Sequence, residues 1–263
     1  MFKGQETQGS IDLTLRDGDR FIVVGDAQIP FEDKALLESI FNDFAPVFTR
    51  GHGSHLFLAG DIMDLYSLSR FPSRVTPQFT LEQEVETTRK YLADWGRRFD
   101  KKHYVFGNHE DRWAREAYND SGKLAPYVQP LQVVLELDKL GYDYVPYLRH
   151  FTANGFVITH GDIIRENTAK GMLDTYAASG CSGHVNRPHD YTRADARDGV
   201  PNTWTVLGMT CRMDIGDFIP DWRKIMPWQQ SFGIGEVADG KIYFQNIRVH
   251  HGKYWANGKF YSI

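Results

Sequence analysis

Phe21-Ile22-Val23-Val24-Gly25-Asp26-Ala27-Gln28 runs from a short apolar stretch into a glycine, a carboxylate and a carboxamide. Such a run, bounded by turn residues, reads as a buried strand, so Asp26 and Gln28 fall at a strand's C-terminal end. After Pro30, the residues Ala35, Leu36, Leu37, Ile40, Phe41 and Phe44 recur at helical spacing, and His55-Leu56-Phe57-Leu58-Ala59 then forms a second apolar run ending at Gly60-Asp61-Ile62-Met63-Asp64. The interval of about 35 residues between Asp26 and Asp61 accommodates one strand-helix-strand unit, which needs about 30 or more.

The pattern repeats downstream. Leu81 to Phe99 is charged and helical, Tyr104-Val105-Phe106 is a strand, and Gly107-Asn108-His109-Glu110 follows it. Ligands of open α/β sheets gather outside the carboxyl ends of the strands, so Asp26, Asp61 and Asn108 are expected at one crevice. Glu110 to Asp138 reads as two or three short helices broken at Pro126 and Pro130. From Tyr142 the character becomes β: Tyr144-Val145, Leu148 to Phe151, a hairpin-type Asn154-Gly155 turn, and Phe156 to Thr159 running into His160-Gly161. A helix is predicted over Arg165 to Ala178. Gly183-His184-Val185-Asn186 precedes a polar stretch, Arg187 to Asn202, read as an exposed loop beside the site. Trp204 to Met213, Phe232 to Val237 and Ile242 to Val249 read as strands of a second sheet, with further turns at Asp239-Gly240 and Asn257-Gly258.

At 263 residues the chain suits one sizeable core, and a single domain over 1–263 is expected. Hydrophobic residues at 41% and charged residues at 24% are ordinary for a globular protein, and no run approaches the roughly 18 apolar residues of a membrane span. Met1 to Arg20 lacks the apolar stretch of a secretory leader, and Cys181 and Cys211 are too few for a disulfide framework. These features lead to the expectation of a cytoplasmic protein with no membrane role. The net charge of −4 offers no general attraction to a polyanion, so any grip on phosphate must be local.

Divalent cations take anionic or neutral oxygen and nitrogen donors, and two of them about 3.5 to 4 Å apart share a bridging carboxylate. Asp61 is the natural bridge. One Gly-Asp pair alone is a turn signal, but turns do not also require histidines at the matching places of five successive blocks.

Those five blocks resemble the calcineurin-like metallophosphoesterases, whose pattern is GDxH, GDxxD, GNH(D/E), a lone His and GHxH; each has a counterpart here, in order, between Asp26 and Asn186. The resemblance implies an α/β fold, a four-layer α-β-β-α sandwich of two mixed sheets, and hydrolysis of a phosphate ester by a metal-bridging hydroxide at a dinuclear centre. It further implies that Asp61 bridges both metals, that Asn108, His160 and His184 complete one site, and that Asp26 holds the other. His109 would be the general acid that protonates the leaving oxygen, with Asp64 orienting its ring.

Two positions depart from the pattern, since Gln28 and Asn186 stand where the family usually has histidine. Either they ligate through their amide oxygens or they serve as hydrogen-bonding groups around the ligands. An almost all-oxygen site favours Mn²⁺ or Mg²⁺ over Zn²⁺; the expected cofactors are two divalent ions, Mn²⁺ first, with Mg²⁺, Fe or Zn²⁺ as alternatives. His189 offers a replacement imidazole or a plain surface histidine. Arg187, Arg70 and Arg74 are candidates to bind substrate phosphate, and Arg112 and Arg115 are further candidates for the rim, against the alternative of solvated surface. The mixture of bases and aromatics from Arg248 to Tyr261 reads as a hairpin turning at Asn257-Gly258 in preference to a single-strand nucleic-acid platform. The leading expectation is a metal-dependent phosphatase or phosphodiesterase acting on a phosphate ester, nucleotides and nucleic acid included. Its rivals are a nuclease or cyclic-nucleotide phosphodiesterase on the same core, and a degenerate metal-binding interaction protein. The sequence implies no protein partner.

Overall fold

A computed structural model of the chain describes residues 9–69, 79–119, 127–194, 200–213 and 227–263. The elements run β1 (Ile11–Leu13), β2 (Arg20–Val24), α1 (Lys34–Glu38), a π-helical turn (Ser39–Phe44), α2 (Ala45–Phe48), β3 (Ser54–Ala59), α3 (Leu81–Gly96), β4 (Lys101–Val105) and α4 (Asp111–Asn119). They continue with α5 (Leu131–Val134), α6 (Leu137–Leu140), β5 (Tyr142–Val145), β6 (His150–Ala153), β7 (Phe156–Thr159), α7 (Thr168–Tyr176) and β8 (Gly180–Ser182). The last are β9 (His189–Ala194), β10 (Pro201–Val206), β11 (Ser231–Ala238), β12 (Lys241–Arg248), β13 (Lys253–Ala256) and β14 (Lys259–Ser262). No helix among the described residues is long and apolar enough to cross a membrane.

Two six-stranded sheets carry the fold, one ordered β12-β11-β2-β3-β4-β5 and the other β1-β6-β7-β8-β10-β9. Both are mixed: β2 to β5 run parallel while β11 is antiparallel to β2 and β12, and β7, β8 and β10 run parallel while β1 and β6, parallel to each other, oppose β7 and β9 opposes β10.

Alternation along the strands divides the core into three layers, as expected when side chains point to opposite faces of a strand. Ile22, Val24, Leu56 and Leu58 pack under α1 to α3 with Leu36, Ile40, Leu92 and Trp95. Their neighbours Phe21, Val23, Phe57 and Ala59 face the second sheet, meeting Phe151, Ala153 and Ile158. On the far side of that sheet Val157, Trp204 and Val206 pack against Ala169, Met172 and Leu173 of α7. Three apolar interfaces separate four layers, so the α/β four-layer sandwich of two mixed sheets is the observed architecture.

Local chemistry fixes the helix starts. Asp33 accepts from Leu36 N at the head of α1, and Thr80 and Gln83 form a reciprocal capping box at the head of α3.

Three sequence expectations need correction. Arg187 to Asn202 is not wholly loop, because β9 occupies His189–Ala194 and pairs antiparallel with β10; its polar residues sit on an edge strand and leave no apolar signal. The strand expected over Trp204 to Met213 stops at Val206, after which Met209 and Thr210 turn away to bond Gln229 O and Asp26 O. The C-terminal strands do not share a sheet: β10 joins the second, whereas β11 and β12 extend the first from the edge of β2.

The hairpin β13-β14 turns at Asn257-Gly258 as expected, and its inner face docks Tyr254 and Tyr261 on Phe44 at ring-centroid distances of 6.2 and 5.4 Å. Phe44 is fully buried and also meets Phe48 and Phe232. Phe44→Ala is expected to cost about 3–5 kcal/mol, the range for truncating a buried aromatic. Urea denaturation checks this, and a loss below about 1 kcal/mol would show that the cluster does not hold the hairpin.

Candidate functional site

Each block stands directly after a strand. Asp26 and Gln28 follow β2, Asp61 and Asp64 follow β3, and Asn108 and His109 follow β4, all on the first sheet; His160 follows β7 and His184 and Asn186 follow β8 on the second. The C-terminal ends of both sheets therefore present their side chains to a common space.

The loops fold tightly enough that two glycines are obligatory. A Cβ on Gly107 would lie 2.1 Å from Asp61 Oδ1, and one on Gly183 would lie 2.2 Å from Asp26 Oδ2. Asp26, Gln28, Asp61, His184 and Asn186 all adopt positive φ, between 49° and 75°. That region is tolerated by Asp, Asn and His better than by most residues, and it clusters at functional sites.

Donor atoms converge at the centre. His160 Nε2 lies 3.0 Å from Asn108 Oδ1, 3.3 Å from Asp61 Oδ2 and 3.2 Å from His184 Nδ1. Donor atoms of Asp61, His160 and His184 all fall within 4.8 Å of one another, which makes them a group able to hold a metal ion. His160 Nδ1 bonds Ala59 O at 2.9 Å, fixing the ring so that Nε2 faces inward.

Asp26 lies beside this group: Oδ2 accepts from His184 N at 3.1 Å, while Oδ1 is buried with no hydrogen-bond partner. Asn186 Oδ1 is likewise buried and unpartnered. Two orphaned buried oxygens are costly unless a cation or water meets them, so the donor chemistry fits a second ion. Gln28 Oε1 faces the Cys211 thiol at 3.6 Å.

The electrostatics tell the same story. Burial pushes the Asp26 carboxyl up to about 7, with His160 offsetting part of the rise and Asp61 adding to it. Burial alone would also raise Asp61, but His109 and His160 outweigh it and hold that carboxyl well below the usual range. His160 is carried up to about 10, because Asp61 and Asp26 overcome its burial. Burial and the neighbouring His160 depress His184 to about 4. In the metal-free protein, protons balance the buried carboxylates, a role that a divalent cation can take over.

His109 stands at the edge of the group. Its Nε2 is 3.6 Å from Asp61 Oδ2, its Nδ1 is 3.4 Å from Asp64 Oδ1, and its backbone N–H donates to Asp61 Oδ1 at 2.9 Å. Against its burial, Asp61 and Asp64 raise the affinity of the ring for a proton.

The arginines fare differently. Arg187 donates to Arg165 O at 3.0 Å, and Arg115 donates to Asn108 O at 2.8 Å and pairs with Asp111. Arg70 and Arg74 lie outside the described residues. His189 does not supply a replacement imidazole: one ring nitrogen accepts from Ala169 N at the start of α7, and the other bonds Arg187 O.

Residues 19–203 match the family described as Calcineurin-like phosphoesterase. The chain belongs to this family. As a calcineurin-like phosphoesterase it is similar to the Gene 54 protein of Mycobacterium phage L5, at 21% identity over 262 residues, covering 93% of this chain and 99% of that protein. It is also 22% identical over 270 residues to the Gene 54 protein of Mycobacterium phage D29, with 93% and 99% covered. Solved structures that it resembles include Vacuolar Protein Sorting 29 from Cryptosporidium parvum, with a TM-score of 0.47 and 12% identity over 94% of this chain and 100% of that one. Vps29 from Chaetomium thermophilum gives a TM-score of 0.44 and 15% identity, covering 88% and 92%.

Sequence reasoning missed two residues that organise the site. Arg112, taken as rim or solvent-facing, is bonded to both Asp64 and His109. Glu110, noted only as the end of the third block, is 1% exposed and accepts from Asp61 N, Met63 N, Gly107 N and the Tyr104 hydroxyl at 2.7 to 2.9 Å. The acidic residue at the end of that block was the available signal, but its partners lie across the fold. Burial and the Asp61 charge push the Glu110 carboxyl upward, while the four donors favour its ionised form. Glu110→Gln leaves one acceptor oxygen and turns an NH₂ toward N–H groups, so a loss of about 2–4 kcal/mol is expected from unsatisfied buried donors. Thermal melting of the metal-free protein measures it, and an unchanged midpoint would contradict the assigned role.

Proposed function

We propose that this calcineurin-like phosphoesterase hydrolyses phosphate esters with two divalent cations held where the two sheets' strand ends meet. The observation that carries this reading is the convergence of Asp61 Oδ2, Asn108 Oδ1, His184 Nδ1 and His160 Nε2, all within 3.3 Å of the last atom. Asn108, His160 and His184 would hold one ion, Asp26 with Gln28 and Asn186 would hold the other, and Asp61 would be shared between them. The second set is almost wholly oxygen, so Mn²⁺ or Mg²⁺ is preferred there to Zn²⁺.

When bound, the ions polarise phosphoryl oxygens and lower the pKa of water at the site. The chain's own residues supply the rest. His109, at the edge of the group and backed by Asp64, donates a proton to the leaving oxygen as the P–O bond breaks. Asp26 and Asp61 are buried, and low-dielectric surroundings strengthen each polar contact made there.

The direct test is turnover of an aryl phosphate monoester and a bis-aryl diester with Mn²⁺, beside a chelated control and His109→Ala. Turnover of at least one ester, abolished by chelator and lowered about 10²-fold or more in the variant, is expected. No turnover of either would leave the alternative of a metal-binding interaction protein, and equal turnover by His109→Ala would remove His109 as the acid.

Metal binding should also release protons. With Asp26 near 7 and His160 near 10 in the metal-free protein, both groups must be stripped of a proton to ligate. Apparent affinity should therefore climb about tenfold per pH unit between 7 and 10, where only His160 is protonated, and more steeply below 7. Titration calorimetry in buffers of differing ionisation enthalpy reads the proton count, and binding without proton release would overturn the ligand set.

A further inference from the structure

Arg112 lies in the first turn of α4, one turn beyond His109. Its Nη1 donates to the Asp64 main-chain oxygen at 2.8 Å and to Asp64 Oδ1 at 3.0 Å, and its Nη2 lies 3.0 Å from His109 Nε2. The same Asp64 oxygen is 3.4 Å from His109 Nδ1. Three side chains close a triangle in which both nitrogens of the imidazole have a neighbour. The Arg112 side chain is only 16% exposed, so it is not a solvent-facing charge that happens to lean inward.

A contact of 3.4 Å is longer than an ordinary hydrogen bond, so Asp64 alone restrains the ring weakly. Asp61 Oδ2, 3.6 Å from His109 Nε2, competes for the ring from the other side. What resists that pull is the guanidinium, whose planar fork reaches Asp64 and His109 together. Lysine carries one compact charge and cannot span both.

We propose that Arg112 is a positioning residue: it locks Asp64 and His109 into one unit, so that His109 faces the leaving group instead of turning toward Asp61. The reaction it serves rests on the phosphoesterase reading above; the restraint on the ring does not. In that reaction the proton leaves the charged His109 ring for the ester oxygen as the P–O bond breaks; Arg112 restrains the charged ring through Asp64, and the neutral ring that remains can accept from Arg112 Nη2 at Nε2.

Arg112→Met and Arg112→Lys in the full chain test this by two independent readouts. In nitrogen-15 ring correlation spectra of metal-free protein, the His109 signals should shift and broaden in both variants, because neither retains the fork. Unmoved His109 signals would overturn the proposal. With Mn²⁺, turnover of phenyl phosphate, whose leaving group needs a proton, should fall about 10²-fold, while para-nitrophenyl phosphate loses less than about fivefold and KM stays within about twofold. The loss should vanish in a His109→Ala background, since residues acting as a unit are not additive. Equal losses on both esters, or a full added loss without His109, would overturn it. If Arg112→Met does not fold, Arg112→Lys carries both readouts. Should the parent turn over neither ester, the phosphoesterase reading fails, and the ring spectra still decide whether Arg112 restrains His109.

Discussion

The carboxylate of Glu110 is the constraint on which the site depends. It ties the loop after β3 to the loop after β4 by accepting from Asp61 N and Met63 N on one side and Gly107 N on the other, with the Tyr104 hydroxyl completing its coordination. Backbone donors in irregular loops have no sheet partner and, when buried, must be satisfied by something. A single ionised side chain does so for three of them. The result is that Asp61 and His109, which sit 48 residues apart, are held in fixed register, with His109 N donating to Asp61 Oδ1 at 2.9 Å.

That register is needed because the loops store strain. Left-handed backbone at Asp26, Gln28, Asp61, His184 and Asn186 costs of order 1 kcal/mol or more at each residue, and a lone loop would relax out of it. Here the backbone is bonded between loops: Asp26 N to Gly60 O at 2.9 Å, Gln28 N to Asp61 O at 2.9 Å, and Thr210 N and Cys211 N to Asp26 O at 3.1 Å. Each tight loop is thereby braced by the next, and the strain is carried by the surrounding sheets. The polar residues found at positive φ are also ones whose side chains carry oxygen or nitrogen donors, so the local conformation and the donor chemistry ask for similar amino acids.

What was legible in the sequence follows from which interactions are local. Phe21 to Val24 and His55 to Ala59 announce themselves because both faces of these strands are buried, and a run apolar on both faces has no polar interruption. The blocks at their ends could be read for the same reason. β8, Gly180–Ser182, is three small residues and has no such signature, and β9 is an exposed edge strand with a polar composition. The placement of β11 beside β2 is decided by pairing between residues more than 200 positions apart, such as Gly233 with Val23, which no periodicity encodes. Arg112 was read as a candidate for the rim or as solvated surface, whereas its partner Asp64 belongs to a loop 48 residues earlier.

The division of donors between the sheets has an energetic consequence. Carboxylates and carboxamides come chiefly from the first sheet through Asp26, Gln28, Asp61 and Asn108, and the imidazoles His160 and His184 come from the second. Asp61 comes from the first sheet and His160 and His184 from the second, so the spacing of this candidate group depends on how Phe21, Val23, Phe57 and Ala59 seat against Phe151, Ala153 and Ile158. Close-packed interiors resist sliding because every displacement opens voids or forces overlaps, and a misplacement of about 1 Å at a reacting centre is enough to cost about two orders of magnitude in rate. The apolar layer between the sheets therefore acts on the polar site directly: it fixes the spacing between oxygen donors and nitrogen donors that no contact within either sheet could set.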